Sequence, residues 1–115
     1  MTEDTRRAPR RQVADLVLVQ DAITEASIGR LGNVSETGML LMASVPLVDD
    51  ALYQLSFTLL DERGQPHRID VGAHLLWNEA ANAPGQSWAG FRFIALPTEQ
   101  RQQLRAWVES DPQAV

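Results

Sequence analysis

The clearest secondary-structure signal in this chain lies in Arg68-Ile69-Asp70-Val71-Gly72-Ala73-His74-Leu75-Leu76-Trp77-Asn78. Apolar side chains recur at every second position from Ile69 to Trp77, and the positions between them are mostly polar or small. Successive side chains of a β-strand point to opposite faces, so a period of two indicates a strand with one face in a core. We therefore predict a strand over residues 68–78, with Trp77 on its apolar face.

The segments on either side continue this pattern. Residues 51–60 alternate between apolar and polar side chains, and residues 61–66 form a polar, Gly-containing turn that leads into the strand just described. Beyond it, residues 80–86 contain Pro84-Gly85 and predict a loop, and residues 87–94 predict another strand. The middle of the chain is thus expected to be a run of antiparallel strands.

The N-terminal half adds three more strands. Residues 13–20 and 24–31 are rich in β-branched and aliphatic side chains, and Gly32-Asn33 is expected to end the second of these strands. Gly38 opens a strand over residues 39–43, which is apolar at every position and so is expected to be covered on both faces.

The chain ends in a predicted helix. Pro97 suits the first helical position, and Glu99 in the first turn complements the helix dipole. Leu104, Trp107 and Val108 are spaced at i, i+3 and i+4, which gives one apolar stripe. Six short strands and one helix predict an all-β dominated fold, a six-stranded antiparallel β-barrel with a C-terminal α-helix.

The composition limits the function classes. A chain of 115 residues forms one domain, and its formal net charge of −5 argues against a general nucleic-acid binder. It has no cysteine, so disulfides, thiolate metal sites and cysteine nucleophiles are excluded. Its sequence shows neither an apolar run long enough to span a bilayer nor a secretory signal, so we expect no membrane insertion and a cytoplasmic location.

Two short motifs depart from this ordinary background. Four of the ten basic residues, all of them arginines, lie in the arm Arg6-Arg7-Ala8-Pro9-Arg10-Arg11. Arginine pairs bidentately with phosphate or with the O6/N7 edge of guanine, so the cluster indicates a local anion site on an acidic protein. The second motif consists of Asn33, Ser35 and Gly38 in an Asn-x-Ser-x-x-Gly pattern. Taken singly, each motif is also typical of a solvated tail or a polar turn.

Together, the two motifs resemble the signatures of the PilZ domain, a family of bacterial receptors for cyclic di-GMP. The last two predicted strands and the Pro-started helix also resemble the family, so the similarity runs from about Arg6 to Val108. The resemblance implies a flexible arginine-rich arm over residues 1–12, a PilZ-like barrel with its helix over residues 13–110, and a disordered tail over residues 111–115.

The resemblance also implies the ligand contacts. In the family the arginines contact the phosphates and guanine edges of cyclic di-GMP, which assigns this role to Arg6 and Arg10. Arg7 and Arg11 have the same spacing, so the register of the pair is open, and these two are candidate second contacts. Asn33, Ser35 and Gly38 would line the wall around a guanine, with Gly38 allowing a positive φ or a close approach of the ligand.

The resemblance implies a receptor that relays the second-messenger signal to an effector protein, which the sequence does not identify, through ordering of its arm. Candidate outputs are motility, pili, exopolysaccharide or a signalling enzyme. Two alternatives stay open: a PilZ-like protein–protein adaptor for pilus or motility assembly that binds no nucleotide, and a nucleic-acid-binding barrel that uses the basic arm. The number of dinucleotides bound, one or a stacked pair, is also open.

We expect no catalytic and no metal site. His67 and His74, the only histidines, are not spaced as ligands on one helical face. The acidic pairs Asp49-Asp50 and Asp61-Glu62 lie in predicted loops and are typical of solvated turns. The sequence contains no nucleophile-elbow or phosphate-loop motif. The sequence therefore predicts a non-enzymatic receptor without a cofactor, whose ligand is cyclic di-GMP.

Overall fold

A computed structural model describes residues 8–115, which form a closed barrel of six antiparallel strands with one short extra strand and a C-terminal helix. The elements are β1 (Arg11–Gln12), β2 (Leu18–Asp21), β3 (Ser27–Val34), β4 (Gly38–Ala43), β5 (Leu52–Leu60), β6 (Pro66–Ala80), β7 (Ser87–Ala95) and α1 (Thr98–Glu109). The predicted fold class is confirmed.

The barrel closes because β3 pairs on both sides. The hydrogen-bonded order is β3-β2-β5-β6-β7-β4, and β4 pairs again with β3, while β1 lies on β3 as the extra strand. Every pairing is antiparallel. Closure leaves no long unpaired edge among the six barrel strands, which removes a template for pairing with another chain.

The hairpin of β5 and β6 is the longest regular pairing, running from Leu52 opposite His74 to Leu60 opposite Pro66. Its turn is fixed by Asp61, whose Oδ1 accepts the backbone N–H groups of Arg63 and Gln65 at 2.9 Å each. The strongly alternating sequence thus specifies both the strands and their register.

The core lies inside the barrel, with α1 packed against one end. Its fully buried large side chains are Val19, Leu31, Val34, Met39, Leu41, Leu55, Leu59, Ile69, Val71, Leu75, Leu104 and Val108. The last two come from the predicted stripe of α1, whose third member, Trp107, is only partly buried. Within residues 8–115, α1 is the sole α-helix and is too short to cross a membrane.

Several predicted boundaries are wrong. Residues 13–17 are not a strand: they follow β3 through single backbone bonds, such as Val13 N–H to Gly32 O and Leu31 N–H to Val17 O. The predicted break at Gly32-Asn33 is also wrong, because β3 continues to Val34 with Gly32 as an unpaired bulge residue. A bulge adds one residue to one strand without ending the ladder. A glycine in the sequence can indicate a bulge as well as the end of a strand.

The two ends of the described chain lie together. In β1, Arg11 and Gln12 pair with Val34 and Asn33 of β3. Arg10 and Val115 exchange two backbone bonds, of 2.6 Å and 3.2 Å. At the start of α1, Pro97 stands one position earlier than predicted, at the N-cap with ψ 141°. These contacts place the last residues of the predicted arm beside the turn between β3 and β4 and beside the residues that follow α1.

Candidate functional site

The Asn-x-Ser-x-x-Gly motif forms the turn between β3 and β4, which we call the motif turn, residues 33–38. Ser35 is fully buried at its centre. Its Oγ accepts the backbone N–H of Thr37 at 3.1 Å and lies 2.9 Å from Thr37 Oγ1, and its backbone N–H donates to Gly38 O at 2.9 Å. A buried hydroxyl with these partners is satisfied, so Ser35 fixes the shape of the turn.

Gly38 is required by packing rather than by its backbone dihedral angles. Its φ is not positive, so that part of the sequence prediction is wrong. A Cβ at this position would lie 2.3 Å from Phe91 O on the neighbouring strand β7. The close approach that needs glycine is therefore between the backbones of β4 and β7.

Arg10 brings the two sequence motifs together. Its Nε donates to Asn33 Oδ1 at 2.9 Å, and its NH1 reaches Ser35 Oγ at 3.4 Å. Of the two arginine registers left open by the sequence, the one containing Arg10 contacts the motif turn. Arg6 and Arg7 lie outside the described residues.

Within residues 8–115, the side chain of Arg10 is hydrogen-bonded to neutral acceptors, Asn33 Oδ1 and Ser35 Oγ. Its side chain is partly buried, and this desolvation lowers the pKa of its guanidinium below the usual value. None of the ion pairs within residues 8–115 includes Arg10. A partly desolvated cation that contacts only an amide and a hydroxyl oxygen is a favourable point for an anionic ligand.

Arg11 points away from the motif turn. Its guanidinium carbon lies 3.8 Å from the centre of the Trp107 ring, and its NH1 donates to Trp107 O at 2.7 Å. It also contacts Ser110 Oγ at 3.1 Å and Asp111 Oδ2 at 3.7 Å. The structure therefore separates two neighbouring residues that the sequence grouped as ligand contacts.

An open cavity of about 330 Å³ lies beside Arg10 on the outer surface of the barrel. It is lined by Arg10, Asn33, Met39, Leu40, Leu76, Trp77, Gly90 and Phe91. The lining thus combines the polar groups of Arg10 and Asn33 with apolar and aromatic groups. This combination suits a ligand with both a charged group and a flat ring.

Trp77 is the cavity residue that sequence reasoning misplaced. A register shift between Leu75 and Trp77 interrupts the alternation of β6, and Trp77 is 43% exposed instead of facing the core. Its ring covers Gly90, where a Cβ would lie 2.3 Å from the indole nitrogen. The sequence held one signal for this position of Trp77, namely Gly90 within a predicted strand. A glycine in a strand permits close approach by another group, here the indole ring.

The motif turn is also attached to α1. Arg105 Nε donates to Glu36 Oε2 at 2.7 Å, and Arg101 NH1 donates to Glu36 O at 3.1 Å. The hydrogen bond with Glu36 raises the pKa of Arg105. Because Glu36 lies within the motif turn, two residues one helical turn apart hold this turn against α1.

A second cavity, of about 310 Å³, lies between α1 and the β5–β6 turn, and none of the predicted site residues within residues 8–115 lines it. His67 and Asp61 meet there at 2.8 Å, while His74 contacts Asp50 elsewhere at 2.5 Å. The hydrogen bond from His67 is the largest cause that lowers the pKa of Asp61. Within the part of the chain that the structure describes, no three histidine or acidic side chains are grouped as a metal site.

Comparison with known proteins agrees with the fold. The family model described as "PilZ domain" matches residues 4–110 of this chain. A search of curated protein sequences found no significant match.

Solved structures were also compared. The inhibitor of motility MotI/DgrA of Bacillus subtilis is similar at 14% identity and a TM-score of 0.72, over 89% of this chain and 48% of that one. YcgR of Escherichia coli, solved in complex with c-di-GMP, is similar at 19% identity and a TM-score of 0.70, over 91% of this chain and 45% of that one. This chain thus spans about half the length of those two proteins.

The PilZ domain of YcgR alone, solved with c-di-GMP, is similar at 16% identity and a TM-score of 0.63, over 90% of this chain and 89% of that one. Identities this low support the fold, while the family rests on the match to residues 4–110.

Proposed function

Because the chain belongs to the PilZ domain family, we propose that it is a receptor for cyclic di-GMP, with the arginine arm and the motif turn as its binding site. The contact of Arg10 with Asn33 and Ser35 is the observation that supports this proposal most. It joins two motifs that lie more than twenty residues apart in the chain and that the pairing of β1 with β3 brings side by side. The protein binds, on this proposal, without catalysing a reaction.

The chemistry of the ligand matches the groups available. Cyclic di-GMP carries two phosphates and two guanines, and both its phosphate oxygens and the O6/N7 edge of guanine accept hydrogen bonds from a guanidinium fork. Arg10 supplies one such fork, and Arg6 and Arg7 are proposed to supply others when the arm closes over the ligand. A charged oxygen is a better partner for Arg10 than the neutral oxygens it now contacts.

The other wall of the cavity suits a guanine ring. Trp77 exposes its indole face beside Gly90, and aromatic rings stack on bases without requiring a particular base. Asn33 and Ser35 then contact the base edge or hold the turn that does so. We propose Trp77, which lines the same cavity as Arg10, as an additional ligand contact.

Signal transmission is proposed to follow from ordering of the arm. Ligand binding would bring Arg6 and Arg7 to the site, where Arg10 already lies on the motif turn, and would change the surface formed by the arm, the motif turn and α1. A partner protein would read that surface in the cytoplasm, and the similarity to the inhibitor of motility MotI/DgrA suggests an output in motility.

A second candidate is an adaptor that binds no nucleotide. It is favoured by one observation: Arg10 is already hydrogen-bonded to Asn33 and Ser35, so the arm can rest on the motif turn without a ligand. The adaptor would present the same outer surface to a pilus or motility protein in a fixed form.

Calorimetric titration of the folded protein with cyclic di-GMP separates the two candidates. GMP and cyclic GMP serve as controls, because they carry guanine and phosphate without the cyclic dinucleotide. We expect saturable binding of cyclic di-GMP alone, with a stoichiometry that gives one dinucleotide or a stacked pair. Absence of heat with a protein whose circular dichroism is that of a folded barrel would exclude the receptor and leave the adaptor.

A further inference from the structure

Arg10 and Arg11 are neighbours in sequence, yet they point to opposite sides of the chain. Arg11 lies in the extended strand β1, and consecutive side chains in an extended chain project in opposite directions. Arg10 reaches Asn33 and Ser35, while Arg11 reaches the last turn of α1. One short segment therefore connects the motif turn to the helix.

The contacts of Arg11 are those of a docked guanidinium. It stacks on the face of Trp107 and donates a hydrogen bond of 2.7 Å to the backbone oxygen of the same residue. Ser110 and Asp111 supply two further contacts, and the side chain of Arg11 is only 27% exposed. A planar fork that stacks and donates at once is a geometry that arginine provides and lysine does not.

The tryptophan that receives Arg11 is itself held. Trp107 Nε1 donates to Leu60 O, at the end of β5, with a distance of 3.0 Å. The orientation of the indole is thus fixed by the barrel, and Arg11 docks onto a surface that is already in place. The arm is attached to a rigid part of the molecule rather than to another mobile segment.

The pairing of β1 alone is too short to hold the arm. It consists of two residues, opposite Val34 and Asn33 of β3. A two-residue ladder supplies little stability of its own, and three further backbone bonds flank it, two between Arg10 and Val115 and one from Val13 N–H to Gly32 O. Side-chain contacts therefore add to what keeps the segment docked. Arg11 makes the largest set of such contacts among the arm residues that the structure describes.

We propose that Arg11 is a positioning residue: it acts through Trp107 to hold β1 in place, it preorganises Arg10 over the motif turn, and it does not touch the ligand. The inference rests on the proposed binding of cyclic di-GMP and gives the two neighbouring arginines separate roles. Preorganisation raises affinity because the cost of ordering the segment is met before the ligand arrives. Through the same contact, the position of the arm is coupled to the end of α1.

A double-mutant cycle tests this division of roles. Binding of cyclic di-GMP is measured by calorimetry for wild type, Arg11→Ala, Trp107→Leu and the double variant. We expect each single variant to weaken binding by about three- to tenfold, and the double variant to be no weaker than either single one, since both remove the same contact. Arg11→Lys keeps the charge but loses the fork, so it is expected to recover only part of the affinity.

A residue that touches the ligand gives a different pattern. If Arg11 binds a phosphate, Arg11→Ala weakens the binding of cyclic di-GMP by the same factor in the Trp107→Leu background as in wild type. Removal of the Arg11 charge also reduces the salt dependence of that binding. Either result would overturn the positioning role. Arg30→Ala is the matched control, because Arg30 is exposed on β3 and makes no side-chain hydrogen bond or ion pair within residues 8–115.

Hydrogen exchange without ligand gives a second test that needs only the Arg11→Ala protein. We expect faster exchange of the amides of residues 10–12 in Arg11→Ala than in wild type, with exchange in β5 and β6 unchanged. Equal protection of residues 10–12 in both proteins would contradict the inference even if Trp107→Leu fails to fold. Absence of binding by wild type would instead reject the proposed ligand, which separates the two failures.

Discussion

The motif turn and the β5–β6 turn contain the same kind of local hydrogen bond between a side chain and a backbone N–H. They differ in how far away in the sequence their other hydrogen-bond partners lie. In the β5–β6 turn, Asp61 accepts bonds from residues two, four and six positions ahead, and its side chain is 36% exposed. In the motif turn, Ser35 is fully buried and receives Arg10 from 25 residues away. Its neighbour Glu36 receives Arg101 and Arg105 from 65 and 69 residues away.

The difference shows which turn can report on a ligand. A turn that satisfies its own backbone groups can shift without disturbing the rest of the molecule. A turn whose contacts come from the arm and from α1 changes both of them when it moves. We therefore propose that the motif turn couples the ligand site to the surface, and matched substitutions in the two turns test this proposal.

We expect the largest difference in ligand affinity between variants of Arg10, which contacts the motif turn, and of Arg63, which lies in the β5–β6 turn. Arg10→Ala removes a charge-assisted bond to the ligand, worth roughly 1.5–3 kcal/mol, so the Kd for cyclic di-GMP rises at least about tenfold. Arg63→Ala removes the same charge from the β5–β6 turn, where its side chain makes no hydrogen bond within the described residues, and leaves the Kd unchanged. Equal Kd values for the two variants in a calorimetric titration would break the comparison.

The next comparison is between one glycine of each turn, Gly38 and Gly64, and the quantity compared is the free energy of unfolding. Gly38→Ala places a Cβ 2.3 Å from Phe91 O, so β4 and β7 have to separate, at a cost of about 1–3 kcal/mol. Gly64→Ala meets no atom within 4 Å, but its φ of +78° costs an L-residue about 1–2 kcal/mol. Urea unfolding measures both losses.

The two glycine variants should differ in where the structure is disturbed. Gly38→Ala is expected to shift amide resonances of β7 and of the motif turn, whereas shifts in Gly64→Ala stay within the β5–β6 turn. A purely local disturbance in Gly38→Ala would contradict the packing role of this glycine.

A smaller effect is expected from the glutamates. Glu36→Gln removes the carboxylate that pairs with Arg105 and should lower the Tm by about 1–3 °C, since the Arg105 side chain is 52% exposed and solvent weakens the pair. Glu62→Gln, in the other turn, has no ion pair within residues 8–115 and should leave the Tm unchanged. The difference between the two variants should disappear in 1 M salt, where exposed pairs are screened.

The smallest effect is expected from the pH dependence of Asp61. Its hydrogen bond with His67 and those with backbone N–H groups lower its pKa below the ordinary value of 3.8. A carboxyl group whose folded pKa is lowered stabilises the fold above the unfolded pKa, and this stabilisation is lost as the pH falls through the folded value. Asp61→Asn should therefore have a lower Tm than wild type at pH 6, and the two Tm values should converge as the pH falls through the lowered pKa of Asp61.

Much of the fold followed from the sequence because the strands of the central barrel have one buried face. The alternation in β5 and β7 located both strands to within two residues, and β6 extended only a little beyond its prediction. The errors lie where alternation does not apply. A two-residue strand such as β1 has no period, and the bulge after Leu75 shifts the phase so that Trp77 reaches the surface.

The candidate site was predictable in its residue types but not in its connections. The motifs named Arg10, Asn33 and Ser35, and the structure brings these three together. The contacts of Arg11 with Trp107 and of Glu36 with Arg105 join residues far apart in the chain, and no local pattern encodes such pairs. Only the closed barrel, which carries α1 back to the motif turn, makes them neighbours.

An NMR titration of the ¹⁵N-labelled protein with cyclic di-GMP tests the central claim most directly, namely that the motif turn and the arm form one binding site. The account predicts saturable shifts for the amides of Arg10, Asn33, Ser35 and Gly38, with smaller shifts at the end of α1 and none at Asp61 to Gln65. Shifts centred on the β5–β6 turn and the cavity beside Trp107, with the motif turn unchanged, would contradict it.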